Sequence, residues 1–347
     1  MTVVVALLGL IFLIVIHELG HMLTAKAMGV RVPEFAVGFG PPLFKKKFGK
    51  TVYSFRIILL GGFAKMAGMG DEEEGPDTYH AKPAWRRALI ILAGPAANAV
   101  AAVLILACFY MFQGVVTDVK PVVSAVEPHS TAMEVGIKPG DRVVALDGSP
   151  VKGWEGFQRQ MVDREPGEEV SVTVVRDGSR RTFEGELGAD PLDKQQALLG
   201  VKPKIETTTY GPVKSLGLAL QRCGEITVKT GQFVGQLATG EKDLYENVSG
   251  PVGITSVGST AVSQGFFLPL LALISLQLAL FNLLPILPLD GGHLFFIAAE
   301  KVLGRPVSEQ TMGKFAALGV VLVLALFVFA TYADLSKLFT GQPFIPN

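Results

Sequence analysis

Two histidines four residues apart, with a glutamate directly after the first, give His17-Glu18-x-x-His21, residue types suited to hydrolysis at a divalent metal. On a helix, positions four apart differ by about 40° around the axis. Both imidazoles therefore leave one face and can share an ion, while Glu18 flanks them closely enough to reach a water there. The pattern alone also arises by chance on solvated helices. What precedes it changes its weight: Met1 to Ile16 is almost wholly apolar, and about 16 residues of helix span about 24 Å of a hydrocarbon core about 30 Å thick. Ionisable groups near the edge of such a core are costly unless they pair or ligate.

A catalytic zinc usually takes three protein ligands and keeps one position open. The third must come from elsewhere in the chain. Another apolar run ends in Phe281-Asn-Leu-Leu-Pro-Ile-Leu-Pro-Leu-Asp-Gly-Gly-His293, where Asp290 is the first acidic residue. Asp290 is favoured and His293 is its rival; Asp290 could instead cap a helix that starts near His293. His80 and His129 fall in polar loops and read as surface residues.

The elements that must position these groups are membrane helices. The chain has 347 residues, 49% hydrophobic and 18% charged, with positive mean hydropathy, too apolar for a soluble enzyme of that length. Four runs are long enough to span: roughly Val3 to Lys26, Ala88 to Phe112, Phe266 to Leu287 and Phe315 to Tyr332. The first has no basic residue before it and no small-x-small site after it, so it reads as a permanent span and not a signal peptide. Basic residues crowd between the first two spans, from Lys26 to Arg87, which makes that loop cytoplasmic. Four spans then put both termini and the stretch from Gln113 to about Gly265 outside, and return Asp290 to the cytoplasmic side with His17 and His21. Lys plus Arg equal Asp plus Glu at 31 each, so net charge gives no case for nucleic acid. Cys108 and Cys223 have no pairing pattern and read as unpaired.

In the first loop, Thr51 to Phe55 and Leu59 to Met66 read as short strands punctuated by Gly61-Gly62. Val37-Gly-Phe-Gly-Pro-Pro42 reads as a tight turn, Lys45 to Lys47 as a headgroup-facing turn, and Asp71 to Glu74 as a solvated loop. Beyond the second span the pattern changes to short alternating strands, Val122 to Val126, Arg142 to Leu146, Val170 to Arg176 and Arg181 to Leu187, with turn signals at Asp147-Gly148 and Asp177-Gly178. Val213 to Leu237 has helical spacing of apolar and charged residues, as a helix along the membrane surface would.

Ser130 to Gly148, with its Gly136-Ile-Lys-Pro-Gly-Asp141 core, resembles the PDZ family, whose members accept an extended peptide or chain end in a groove. HExxH in a first span, Leu-Asp-Gly after a later one and a PDZ domain between them resemble the site-2 protease family of intramembrane zinc metalloproteases, and within it the bacterial RseP type. Glu34-Phe-Ala-Val-Gly-Phe-Gly-Pro41, Gly61-Gly-Phe-Ala-Lys65, Ala93-Gly-Pro-Ala-Ala-Asn98 and Ser249-Gly-Pro-Val-Gly-Ile254 carry the likeness along the chain. The resemblance implies Zn2+ held by His17, His21 and Asp290, with Glu18 as catalytic base. It also implies that Asn282 and the hairpin residues Gly61, Gly62 and Phe63 hold the substrate extended. It departs in having room for one PDZ domain where the best-known member has two, and in placing Pro288 one residue later than usual.

The expected fold is a multi-span α-helical membrane protein with four transmembrane helices, a membrane-associated β-hairpin on the cytoplasmic side and one inserted α+β PDZ domain. Its expected divisions are 1–116 for the first two spans and Gly-rich loop, 117–203 for the PDZ domain, 204–264 for an amphipathic tether and 265–347 for the last two spans. The expected function is proteolysis of single-span membrane proteins in a bacterial inner membrane, with lipid and a PDZ-bound peptide as further partners. A PDZ-bearing scaffold with structural zinc is the alternative; an intact Glu18, not needed to hold an ion, argues against it. A metal transporter fits less well, since one ligand cluster at one end of the bilayer makes no path across it.

Overall fold

The computed structural model describes residues 2–70, 73–189, 196–242, 245, 250, 253–254, 258, 261, 265–305 and 307–340. Asp71 and Glu72 of the acidic loop, and Ser249, Pro251 and Val252 of the Ser249–Ile254 motif, lie outside them. The described residues fall into two compact units: one within Met1–Phe109, Gly211–Leu244 and Pro251–Ala330, the other within Tyr110–Tyr210, Tyr245–Gly250 and Thr331–Asn347.

Helix α1 (Thr2–Ala27) carries the apolar run straight through His17-Glu18-x-x-His21. It stops where Gly29 takes a left-handed φ of 74°, the usual way to close a helix. A hairpin follows, β1 (Glu34–Phe48) and β2 (Thr51–Lys65), antiparallel around a turn at Gly49-Lys50. The turn expected at Val37 to Pro42 is absent: β1 continues through it, with φ of 92° at Gly38 and 81° at Gly40 bending the strand without ending it. Bending lets Phe35 pair with both Tyr53 and Ala64. Lys45 to Lys47 accordingly lie in a strand with exposed side chains and not in a turn, and Leu59 to Lys65 is the far half of one long strand that stops just before Met66.

Helix α2 (Ala84–Phe112) contains Pro95, which has no N–H for the carbonyl one turn back. Later come α5 (Pro212–Thr239), α6 (Phe267–Asn282), α7 (Asp290–Leu303) and α8 (Glu309–Thr340). Among the described residues three helices, α1, α2 and α8, are long and apolar enough to cross a membrane, and α6 is a shorter apolar helix. The protein is thus a membrane protein by the length and composition of these helices. Within this unit Met22, Val30, Val32, Phe35, Tyr79 and Ile90 form a buried cluster, with Leu294 and Ile297 of α7 packed on it. Arg87 of α2 donates to Glu300 of α7 at 2.8 Å, tying the two helices together at their cluster ends.

The other unit is built around a sheet in the order β10 (Val201–Thr208), β3 (Val115–Val126), β4 (Arg142–Leu146), β6 (Glu169–Arg176), β7 (Ser179–Glu186), with β5 (Ser149–Pro150) on β4. Two short helices accompany it, α3 (Thr131–Glu134) and α4 (Gly153–Met161), and a small pair, β8 (Gly188–Ala189) with β9 (Ala197–Leu198). Asp147-Gly148 and Asp177-Gly178 make hairpin turns with positive φ at both residues, 46° and 76°, 52° and 78°, as two-residue turns matching strand twist require. Strand alternation buries Val143, Leu146, Val170, Val172 and Val174 with Phe157 of α4. One charge pair is sealed with them: Asp141, 1% exposed in its side chain, takes hydrogen bonds from Arg176 at 2.6 Å. Burial pushes the Asp141 carboxyl up, but Arg176 and the Lys138 N–H hold it below the usual carboxylate range.

Candidate metal centre

His17 and His21 leave the same face of α1, their ring centroids 4.8 Å apart and the planes at 81°. Asp290 is the first residue of α7; Leu289 holds the capping position and no side chain caps the helix. The carboxylate is thereby free of capping duty, and the positive end of the helix favours its charge. Its Oδ2 lies 3.1 Å from His17 Nε2 and 3.4 Å from His21 Nε2, and the two Nε2 atoms are 3.2 Å apart. His293 is not among the clustered groups: of the described residues, only His17, His21 and Asp290 gather their ligand atoms this closely.

These spacings fit a zinc ion. Bonds of about 2.0–2.1 Å in a tetrahedron separate neighbouring ligand atoms by about 3.3–3.4 Å. Without an ion the cluster is poorly satisfied, because Asp290 Oδ2 is buried and makes no hydrogen bond. His21 is set up for ligation by its other nitrogen: Nδ1 donates to the Ile90 carbonyl at 2.9 Å, which leaves a lone pair on Nε2.

Two glycines let α1 and α2 approach closely enough for that bond. A β-carbon on Gly20 would sit 2.3 Å from the Ala93 carbonyl oxygen, and one on Gly94 would sit 2.2 Å from His21 Nε2. Neither position has room for any side chain. The α2 helix supplies a further neighbour, Asn98, whose amide nitrogen is placed 3.3 Å from His17 Nδ1. The sequence alone gives Gly94 and Asn98 no role, since periodicity does not say which neighbour a residue on an apolar helix faces.

The hairpin runs beside Glu18. A β-carbon on Gly62 would meet Glu18 Cγ at 3.2 Å and the Ala36 carbonyl oxygen at 2.9 Å, and one on Gly61 would strike the Phe39 ring at 2.3 Å. Phe63 stacks on Phe39 with centroids 6.3 Å apart, and the Arg56 guanidinium lies over it. Asn282 is the last residue of α6, half-buried. Cys108 and Cys223 are both free.

A helix of membrane-spanning length that presents two histidines and a glutamate, with an aspartate from α7 beside the histidines, is the build of a membrane metalloprotease. Comparison with known proteins gives the family. Residues 5–326 match the model of peptidase family M50, and the chain belongs to that family, the site-2 proteases; it is a zinc metalloprotease. A Brucella suis protein provisionally named a zinc metalloprotease is 33% identical, covering 96% of this chain and 95% of its own. The zinc metalloprotease RasP of Geobacillus kaustophilus is 30% identical over 94% of this chain and 96% of its own. Among solved structures, a PDZ domain of an SdrC-like protein from Listeria monocytogenes covers 25% of this chain and 86% of its own, at 21% identity and a TM-score of 0.22.

Proposed function

We propose that the protein is an intramembrane endopeptidase that cuts single-span membrane proteins, with His17, His21 and Asp290 holding the zinc and Glu18 as general base. One observation carries this: three ligand atoms from two distant segments lie 3.1, 3.2 and 3.4 Å apart with a glutamate on the adjoining residue. A zinc ion held by His17, His21 and Asp290 would supply Lewis acidity toward water and a peptide carbonyl. Glu18 takes the proton of the attacking water and delivers it to the leaving amine. A helical substrate has its carbonyls committed to the ladder and must be unwound first.

The hairpin suits that task. Gly61, Gly62 and Phe63 form the stretch of β2 next to Glu18, where an extended substrate can add as a further strand, and Gly62 lets backbone come close to the base. Asn282 would donate to the same substrate backbone. The fourth span runs through α6, whose 16 residues make about 24 Å of helix, and on into the turn before Asp290. With the basic first loop on the cytoplasmic side, the centre faces the cytoplasm of a bacterial inner membrane and the β-rich unit lies outside. That unit, taken as a PDZ domain over 117–203 with 204–264 as tether, would receive a peptide or chain end. The substrate class extends to regulators of anti-sigma-factor type and remnant signal peptides, since each offers a single span.

The test is a pair of variants expressed with a single-span substrate. Glu18→Gln is expected to keep zinc and abolish cleavage; unchanged cleavage ends the protease reading of Glu18. Asp290→Ala is expected to release zinc, and full retention would move the third ligand to His293.

A further inference from the structure

We infer that Asn98 is the positioning residue for His17, fixing the imidazole proton on Nδ1 by accepting it on the amide oxygen. The inference rests on His17 being a zinc ligand through Nε2.

Asn98 is fully buried, and its backbone carbonyl accepts from Ser275 Oγ at 2.8 Å, a residue equally buried on α6. Its side chain faces His17 Nδ1 at 3.3 Å, while the other amide atom has no partner. Amide nitrogen and oxygen are told apart by their hydrogen bonds and not by shape. Either orientation leaves one amide atom over, so burial does not choose between them; ligand chemistry does. An amide nitrogen facing Nδ1 would donate to it, forcing the ring proton onto Nε2, where it would block the lone pair that points at Asp290 and His21. An amide oxygen facing Nδ1 accepts the proton and frees Nε2. His21 already shows this arrangement, with the Ile90 carbonyl as an acceptor that cannot donate. The two histidines are then matched, one oriented by backbone and one by Asn98, both from α2. Such outer partners change metal affinity by about 10- to 100-fold when removed.

The test uses the full chain in detergent, following zinc per chain and its rate of loss to a chromophoric chelator. Asn98→Leu, similar in shape but with no acceptor, is expected to weaken zinc retention about 10- to 100-fold. Asn98→Asp, an acceptor on both oxygens, is expected to stay within a few-fold of the unmodified protein. Wild-type retention in Asn98→Leu, or equal loss in the two variants, overturns the inference. Should Asn98→Leu not fold, Asn98→Ala takes its place in the same zinc-retention measurement: loss of about 10- to 100-fold supports the role, and wild-type retention overturns it. His17→Ala separates this from the metal reading: zinc kept in His17→Ala removes the ligand set itself, whereas zinc lost there but kept in Asn98→Leu removes only the role of Asn98.

Discussion

The two units are held together by opposite means. In the sheet unit, large apolar side chains such as Leu146, Val172 and Phe157 fill a core between strands and helices, and water drives their burial. In the helical unit the contacts around the metal centre are made by missing side chains: Gly20 against Ala93, Gly94 against His21. Lipid is as apolar as leucine, so helices there gain from close backbone approach and polar pairing and not from leaving water. One unit is thus sensitive to losing atoms and the other to gaining them.

The largest expected effect comes from adding one carbon to the helical unit. Gly94→Ala puts a methyl where the His21 ring lies, and zinc retention is expected to fall at least about 10-fold, as for loss of ligand orientation. The same exchange at Gly156 in α4, where a β-carbon meets nothing nearer than 3.8 Å, is expected to leave zinc unchanged and to add up to about 1 kcal/mol of helix stability. Equal effects at the two glycines would break the contrast. Removing atoms from the sheet unit comes next: Leu146→Ala is expected to cost about 2–5 kcal/mol with zinc untouched. The chain has two tryptophans, and Trp154 packs against the sheet core. In a Trp85→Phe background, its fluorescence during denaturation therefore reports that unit alone.

The smallest effect is on pH. Because the folded Asp141 carboxyl lies below its ordinary value, its stabilisation is complete above about pH 4 and is lost as pH falls through the folded value. The Trp154 unfolding midpoint is expected to hold above about pH 4 and to drop as the pH falls further. Asp141→Asn should flatten that drop, at a cost on the order of 1 kcal/mol near neutrality; an unchanged slope would assign the pH dependence elsewhere.

What the sequence made legible follows the same divide. Turn residues and alternation located the strands Arg142–Leu146 and Glu169–Arg176, because a hairpin states its own local rules. Residue type and position beside apolar runs singled out His17, Glu18, His21 and Asp290, and the structure brings His17, His21 and Asp290 together. Gly38 and Gly40 misled, since glycine beside proline usually marks a turn, and here it marks a strand bent enough to pair twice. The contacts of Gly94 and Asn98 were invisible because they exist only between helices. Among the described residues three helices reach spanning length and α6 is shorter, because the apolar run read as one segment ends as a helix at Asn282, before Pro285 and Pro288.

The order of the ligands along the chain sets a schedule for making the enzyme. His17 and His21 leave the ribosome almost at once, while Asp290 follows about 270 residues later, a delay of tens of seconds at about 5–20 residues per second. During that interval the nascent protein has His17, Glu18 and His21 but not Asp290, so the cluster of three ligand-type groups is incomplete until α7 has been made. On the proposed ligand set, a chain that stops short of α7 would lack the third zinc ligand.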